Sequence, residues 1–318
     1  MQIQQQLREH FQIAQPLDVA KASLAVALYP GEQRLDVGND ARGHATLCRW
    51  LRHHEVSRVL LEATGGYEQA VAVMLSSQWP VVRIPPHRAR AFAVAMGKIA
   101  KTDPIDAAML AHLAAVVEGP VLAPPCPAEV RLQALVRRRE QLVEQRDAER
   151  RRLLQAHDAL VRRSLQRQLK QLAQEIARLD QEVASCVPLC GSERAERLRR
   201  VPGIGAVTVA TLMAFLPELG QLESRQISAL AGLAPYNCDS GKHQGVRRIR
   251  GGRANVRRIL YMAAWSAVRH QPDFKLRYAA LRARGKCAKV ALVACMRVLL
   301  TRLNAMLRDG SEWRTLAA

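Results

Sequence analysis

The sequence predicts a chain of mixed architecture. An α/β domain with a mixed-direction sheet is expected over residues 1–120, a linker and coiled-coil helices over 121–190, and a mainly helical domain over 191–318. Three observations carry this prediction. Short β-like runs alternate with helical stretches up to Val117, and a proline-rich break follows at 119–127. Beyond Glu129 the composition turns to Arg, Gln, Glu and Leu with a regular apolar ladder. With 49% apolar and 24% charged residues in 318, each part has the material to bury a core, which excludes disorder as the default.

The first β-like runs are Ser23 to Tyr29 and Gln33 to Val37. Pro30-Gly31 between them is turn chemistry, so a hairpin is expected. Asp18 stands at its entry. Pro16 has no N–H to give a central ladder, so a strand leading into the hairpin should be short or begin at Asp18. A helix is expected over 42–54, then a buried strand over 56–62, a helix over 67–77 and a strand over 81–84 that stops at Pro85-Pro86. Strands alternating with helices after an opening hairpin fit a ribonuclease-H-like sheet. Helices should follow over 87–96 and 104–117, before the prolines of 119–127 interrupt any helix.

The apolar ladder at Leu165, Leu169, Leu172, Ile176, Leu179 and Val183 makes a stripe that needs a partner helix. Antiparallel pairing with the 132–160 stretch and self-association between protomers both satisfy it. After Gly191 short helices with glycine joints are expected. Val201-Pro-Gly-Ile-Gly205 before an apolar helix resembles a helix-hairpin-helix element, whose exposed N–H groups suit a phosphate, and equally a plain glycine turn.

Charge narrows the function. The formal net charge is +20, and residues 241–308 hold seventeen Lys or Arg against one acid, Asp273. Such self-repulsion is relieved by a polyanion, and the bases are interleaved with Gly, Asn and apolar positions as on a folded surface. Nucleic acid is therefore the expected partner. Seven scattered cysteines lack paired C-x-x-C spacing and read as reduced thiols. With neither a long uninterrupted apolar run nor a signal-like start, no membrane is expected and a cytoplasmic, nucleoid-associated location is.

Four acids stand where phosphoryl chemistry needs them. Asp18 opens the hairpin, Glu62 closes a strand, and Asp103 and Asp106 share one face at the start of a helix. Taken singly each has a structural explanation, and Asp103-Pro104 is an ordinary helix cap. Together they form a set of hard oxygen ligands for Mg²⁺. Downstream, Ser240 precedes a glycine and a run of cations. Its hydroxyl would need a proton acceptor, for which Asp239 and His243 are nearest in sequence, and a positive field. On these residues alone a turn serine is the simpler reading.

Leu17-Asp18-Val-Ala-Lys21, Leu61-Glu62-Ala-Thr-Gly-Gly-Tyr67 and Lys101-Thr-Asp103-Pro-Ile-Asp106 resemble the acidic segments of the RuvC-like DEDD transposases of the insertion-sequence 110 family, its 1111 subgroup included. Val201-Pro-Gly-Ile-Gly205, Gly232-Leu-Ala-Pro235, Ser240-Gly241 and Gly252-Arg-Ala-Asn255-Val-Arg257 resemble that family's C-terminal domain. The resemblance implies a transposase or recombinase in which Asp18, Glu62, Asp103 and Asp106 bind Mg²⁺ and Ser240 forms a phosphoserine link with DNA. It also implies a homo-oligomer assembled through the coiled coil, and a structured noncoding guide RNA. Lys101, Lys242, Arg247, Arg248, Arg250, Arg253 and Arg257 are the expected nucleic-acid contacts. The alternatives left open are a junction-resolving endonuclease that uses the four acids and water, and a noncatalytic nucleic-acid-binding protein.

Overall fold

The computed structural model describes residues 13–29, 33–54, 56–63, 65–97, 112–114, 116, 126–237, 245 and 247–314, with the backbone alone at 13–19. The chain divides into two compact units, Met1–Pro125 and Cys126–Ala318.

The first unit is built on five strands: β1 (Ile13–Val19), β2 (Ser23–Ala27), β3 (Arg34–Gly38), β4 (Val56–Glu62) and β5 (Val81–Ile84), in the order β3-β2-β1-β4-β5. β2 and β3 form the expected antiparallel hairpin, with Ser23 opposite Gly38 and Ala27 opposite Arg34. β1 runs antiparallel to β2 and parallel to β4, and β4 runs parallel to β5, so the sheet is mixed.

One expectation is corrected here. β1 is the central strand and passes straight through Pro16, which pairs in register with Leu60. Pairing with β2 starts only at Leu17, and a parallel partner takes N–H bonds from alternate residues only, so the ladder tolerates one missing donor.

Helices cover both faces of the sheet, and the strands' alternation shows why. Val59 and Leu61 of β4 pack with Leu24, Val26 and Val81 against α1 (Ala41–Arg52) and α2 (Gln69–Ser76), through Leu47, Leu51, Val71 and Leu75. Leu60, Val82 and Ile84 point the other way, onto Phe92 of α3 (Pro86–Ala95) and onto Leu113 and Ala114. Full burial of Leu60, Leu61 and Val59 on a central strand explains its continuous apolar run. Apart from residues 112–114 and 116, which are helical, the predicted 104–117 helix lies outside the described residues, as do residues 119–125 of the expected linker.

The second unit opens with α4 (Pro127–Gln155) and α5 (Ala159–Cys186). Pro127, expected to stop a helix, instead starts one. At the first helical position its missing N–H costs nothing, and Glu129 caps the end by accepting the Cys126 N–H at 3.1 Å. The two helices pack on each other through Leu142, Leu172, Ile176, Val143 and Leu179, so the ladder's partner over this stretch is α4 of the same chain. Arg139–Asp180 and Arg131–Glu182 ion pairs cross the same seam. At the far end Leu154 and Leu160 stay 83% and 73% exposed.

A 3₁₀ turn (Val187–Cys190) leads to α6 (Ser192–Arg199), α7 (Ala206–Phe215) and α8 (Ser224–Leu230). α7 is buried along its whole length from Thr208 on, as its uniformly apolar sequence requires. The ribbon strands β6 (Pro235–Tyr236) and β7 (Arg248–Ile249) follow, then α9 (Ala254–His270), α10 (Pro272–Ala283) and α11 (Ala288–Arg308). The last helices are longer than the short ones expected. α11 has the length and composition of a membrane span, yet Leu292, Met296, Leu299 and Leu303 join Val209, Leu212 and Leu260 in the core of this unit.

Candidate active site and nucleic-acid interface

The register of the central sheet places two of the predicted acids. β1 and β4 are paired in parallel through Leu17 and Leu61, and the next residue of each strand is Asp18 and Glu62. Neighbouring strands lie about 4.8 Å apart, so these two positions are adjacent at the carboxyl end of the sheet. Glu62 follows Leu61 and so shares the α3 face with Leu60. Asp103, Asp106 and Lys101 lie outside the described residues. Among the described residues no three His, Cys, Asp or Glu side chains are grouped to hold a metal ion.

Side chains that sequence reading passed over shape this end of the sheet. The Asn39 amide nitrogen donates to the Ala20 carbonyl at 3.0 Å and to the Tyr67 carbonyl at 3.2 Å. One side chain thereby ties the segment leaving β1 to the segment leaving β4. Its oxygen faces His44 Nε2 at 2.8 Å. Because the Asn39 nitrogen serves two carbonyls, its oxygen accepts, and the His44 Nε2–H is the donor. Burial pushes the His44 pKa down, with Asp40 pulling the other way, so the ring is neutral at pH 7.

The turn after Glu62 uses Gly65 and Gly66, both at positive φ (72° and 111°), where other residues would be strained. Glu68 closes it from inside. Its side chain is buried, accepts the Gly66 N–H at 2.8 Å and pairs with Arg83 of β5 at 3.5 Å. Asn39 and Glu68 carried only faint signals in sequence: an Asn beside a cap residue and a Glu after two glycines.

In the second unit the structure describes the stem of the serine loop. Ser240 and Lys242 themselves lie outside the described residues, as do Asp239 and His243. The loop leaves β6 and returns on β7, with Pro235 opposite Ile249 and Tyr236 opposite Arg248. At the base of this ribbon two glycines meet. A Cβ on Gly252 would lie 2.1 Å from the Gly232 nitrogen, and one on Gly232 would lie 2.3 Å from the Gly251 oxygen. Both have positive φ, so two separate constraints demand glycine.

The seven predicted nucleic-acid contacts divide accordingly. Arg247, Arg248 and Arg250 are exposed on or beside β7. Arg253 is half-buried, and its guanidinium fork grips both oxygens of Glu218 at 2.6 Å and donates to the Phe215 carbonyl at 2.9 Å. Burial raises the Glu218 pKa, but the Arg253 hydrogen bonds and charge outweigh it and hold the carboxyl below its ordinary value. Arg257 donates to the Gly251 carbonyl at 2.7 Å. These two arginines brace the stem from within, while the first three face outward. Asn255 and Arg258 reach across to Glu140 and Glu144 of α4, at 2.6 and 2.7 Å.

Residues 195–279 match the family model described as "Transposase IS116/IS110/IS902 family", and residues 17–162 match a second model, of the DEDD IS110 type, described as "Transposase". The chain belongs to the IS110 family of transposases. Two pilin gene-inverting proteins, from Moraxella lacunata and Moraxella bovis, are each 28% identical to it over 288 residues, spanning 86% of this chain and 88% of theirs. A 43.6 kDa protein of insertion element IS110 from Streptomyces coelicolor is 32% identical over 120 residues, 37% of this chain and 30% of that protein. An IS110-family transposase is a DNA-recombining enzyme, so DNA is its partner. The match over 17–162 spans Asp18 through Asp106, and the match over 195–279 spans the ribbon and Ser240.

Proposed function

We propose that this IS110-family transposase cuts and rejoins DNA by phosphoryl transfer, with Asp18, Glu62, Asp103 and Asp106 as a divalent-metal site and Ser240 as nucleophile. The observation that carries this reading is the register that sets Asp18 and Glu62 on neighbouring residues of β1 and β4. Strand order β3-β2-β1-β4-β5, with β2 antiparallel, supports a RuvC-like sheet for this unit. Hard carboxylate oxygens at adjacent strand ends fit Mg²⁺, which when bound supplies Lewis-acid stabilisation of phosphoryl oxygens. Asn39 and Glu68 hold the two segments that leave these strands.

In the transfer itself the Ser240 oxygen forms a bond to phosphorus, the bond from phosphorus to a deoxyribose oxygen breaks, and that oxygen takes up a proton. Rejoining reverses the step with a different deoxyribose hydroxyl. The glycine-pinned ribbon presents the loop, and Arg247, Arg248 and Arg250 supply positive charge for the backbone being cut.

The family resemblance adds two partners. A structured noncoding RNA would choose the DNA sites, which suits a chain with net charge +20 and 4% aromatic residues, rich in phosphate contacts and poor in stacking surfaces. The exposed Leu154 and Leu160 at the tip of the α4–α5 hairpin suit contact with a second protomer through a coiled coil.

The decisive experiment compares Ser240→Ala with Asp18→Ala and Glu62→Ala on a supercoiled plasmid substrate with the element's RNA and Mg²⁺. Loss of strand exchange in all three, and of a protease-sensitive protein–DNA adduct in the serine variant, is expected. A Ser240→Ala enzyme that still cuts would instead make the protein a resolvase using water.

A further inference from the structure

A run of bases spans α10, the turn after it and the first part of α11. From Phe274 to Thr301 there are seven bases, Lys275, Arg277, Arg282, Arg284, Lys286, Lys289 and Arg297, and no acid. None of the seven makes an ion pair among the described residues; Arg282 alone donates a hydrogen bond, to the Lys286 carbonyl at 2.7 Å, which closes the turn into α11. This surface is separate in sequence from the serine loop and its arginines.

Its geometry is specific. α10 is anchored by one face: Phe274 is buried, Tyr278 packs on Trp265 of α9, and Leu281 is half-buried. At about 100° per residue, the opposite face consists of Leu276, Ala279, Ala280 and Ala283, all exposed. Lys275 and Arg282, seven residues apart, line one flank of that face, and Arg277 and Arg284 line the other. The helix therefore presents a slim apolar ridge between two cationic rows.

We propose that α10 lies in the major groove of duplex DNA, its two cationic rows each reaching one phosphate backbone and its alanine ridge facing the base edges. A B-form major groove is about 12 Å wide and admits a helix, whereas that of A-form RNA is too narrow for side chains to read. Small residues on the ridge permit the approach, and methyl groups of alanine suit the thymine methyl. The surface thus takes DNA rather than the RNA, and it grips duplex beyond the segment being cut. The inference rests on this enzyme acting on DNA and is independent of which residue is the nucleophile.

The test uses the full-length protein and a fluorescent 40-base-pair duplex, titrated over a potassium chloride series. Three proteins are compared: K275E/R277E/R284E on α10, R163E/R167E/K170E on the exposed side of α5 as a charge-matched control, and the exposed ridge variant Ala280→Trp. The α10 triple variant should lose at least tenfold in affinity, and its salt slope should become shallower by about 2 to 3, close to one unit per lost phosphate contact. Ala280→Trp, which keeps the charge, should also weaken duplex DNA binding severalfold. Equal losses in the α5 control would make the effect one of overall charge and overturn the inference. So would an α10 variant that binds duplex DNA normally, or one that loses only duplex RNA. Failure of the unmodified protein to bind duplex DNA in any salt would count instead against its action on DNA. Unchanged circular dichroism of all variants is expected, since every substituted side chain is exposed.

Discussion

In the mechanism proposed above, the carboxyl end of the first unit's sheet and the stem of the serine loop face the same task, holding a reactive segment where a strand ends. They solve it with different physics. In the first unit β1 and β4 are seven residues each and lie inside a five-stranded sheet, so the ladder fixes Asp18 beside Glu62, and one amide, Asn39, ties together the segments that leave them. In the second the ribbon has two residues per strand, too few to stand alone. Its stem is held by backbone contact between Gly232 and Gly252 and by the Arg253–Glu218 clamp. A sheet tolerates loss of one side-chain tie because many bonds share the work; a two-residue ribbon concentrates it in a few atoms.

The sharpest break of that contrast is Gly252→Ala. The added methyl meets the Gly232 backbone, and positive φ adds strain, so a cost of about 3–5 kcal/mol is expected. Recombination should fall more than a hundredfold, with thermal unfolding reporting the stability loss. Retained activity would show that the stem does not govern the loop.

Arg253→Ala comes next. It leaves Glu218 and the Phe215 carbonyl without their donor, at a cost of about 2–3 kcal/mol. Arg253→Lys should recover only part of that, because an ammonium cannot reproduce the paired geometry. If Arg253 instead grips phosphate, the alanine variant will show a shallower salt slope in DNA binding at unchanged stability.

Asn39→Asp tests the first unit. It keeps the shape and removes both donated hydrogen bonds, so the segments after β1 and β4 should loosen without unfolding the sheet. The Mg²⁺ concentration for half-maximal cleavage should rise about tenfold, with duplex binding unchanged, and terbium luminescence should report the same loss of metal affinity. A fall in activity that excess Mg²⁺ does not rescue would remove Asn39 from metal positioning.

Acidification gives the smallest effect and orders the two regions. His44 has a folded pKa below its ordinary 6.5, so the unfolded chain takes the proton first and stability declines as pH drops below 6.5. Glu218 has a folded pKa below 4.5, so its contribution is complete above 4.5 and lost only as pH falls through that lowered value. Hydrogen exchange at pH 7 and 5.5 should therefore show amides at the start of α1 losing protection while those at the start of α9 keep theirs.

Much of this was legible in the sequence. Alternation and turn pairs gave the hairpin, β4 and β5, and the ladder of Leu172, Ile176 and Leu179 announced a helix needing a partner. Pro16 misled because a missing donor is costly only where the partner strand needs it, which depends on register. Pro127 misled because the same residue that breaks a helix interior suits a helix start. The arginines were recognised as a group, but their division into Arg247, Arg248 and Arg250 facing outward and Arg253 and Arg257 turned inward was not.

By itself, then, the sequence determined which segments fold into strands and helices and which faces of them are apolar. These are properties of neighbours within a few residues, set by backbone periodicity and local sterics. Only the tertiary structure decided that α4 rather than another protomer covers the middle of the α5 ladder, that Asn39 bridges two strand ends, and that Arg253 serves the fold. Polar groups are satisfied by partners far along the chain, 28 residues away for Asn39 and Tyr67, 35 for Arg253 and Glu218, and 115 for Asn255 and Glu140, and no local pattern encodes such a meeting.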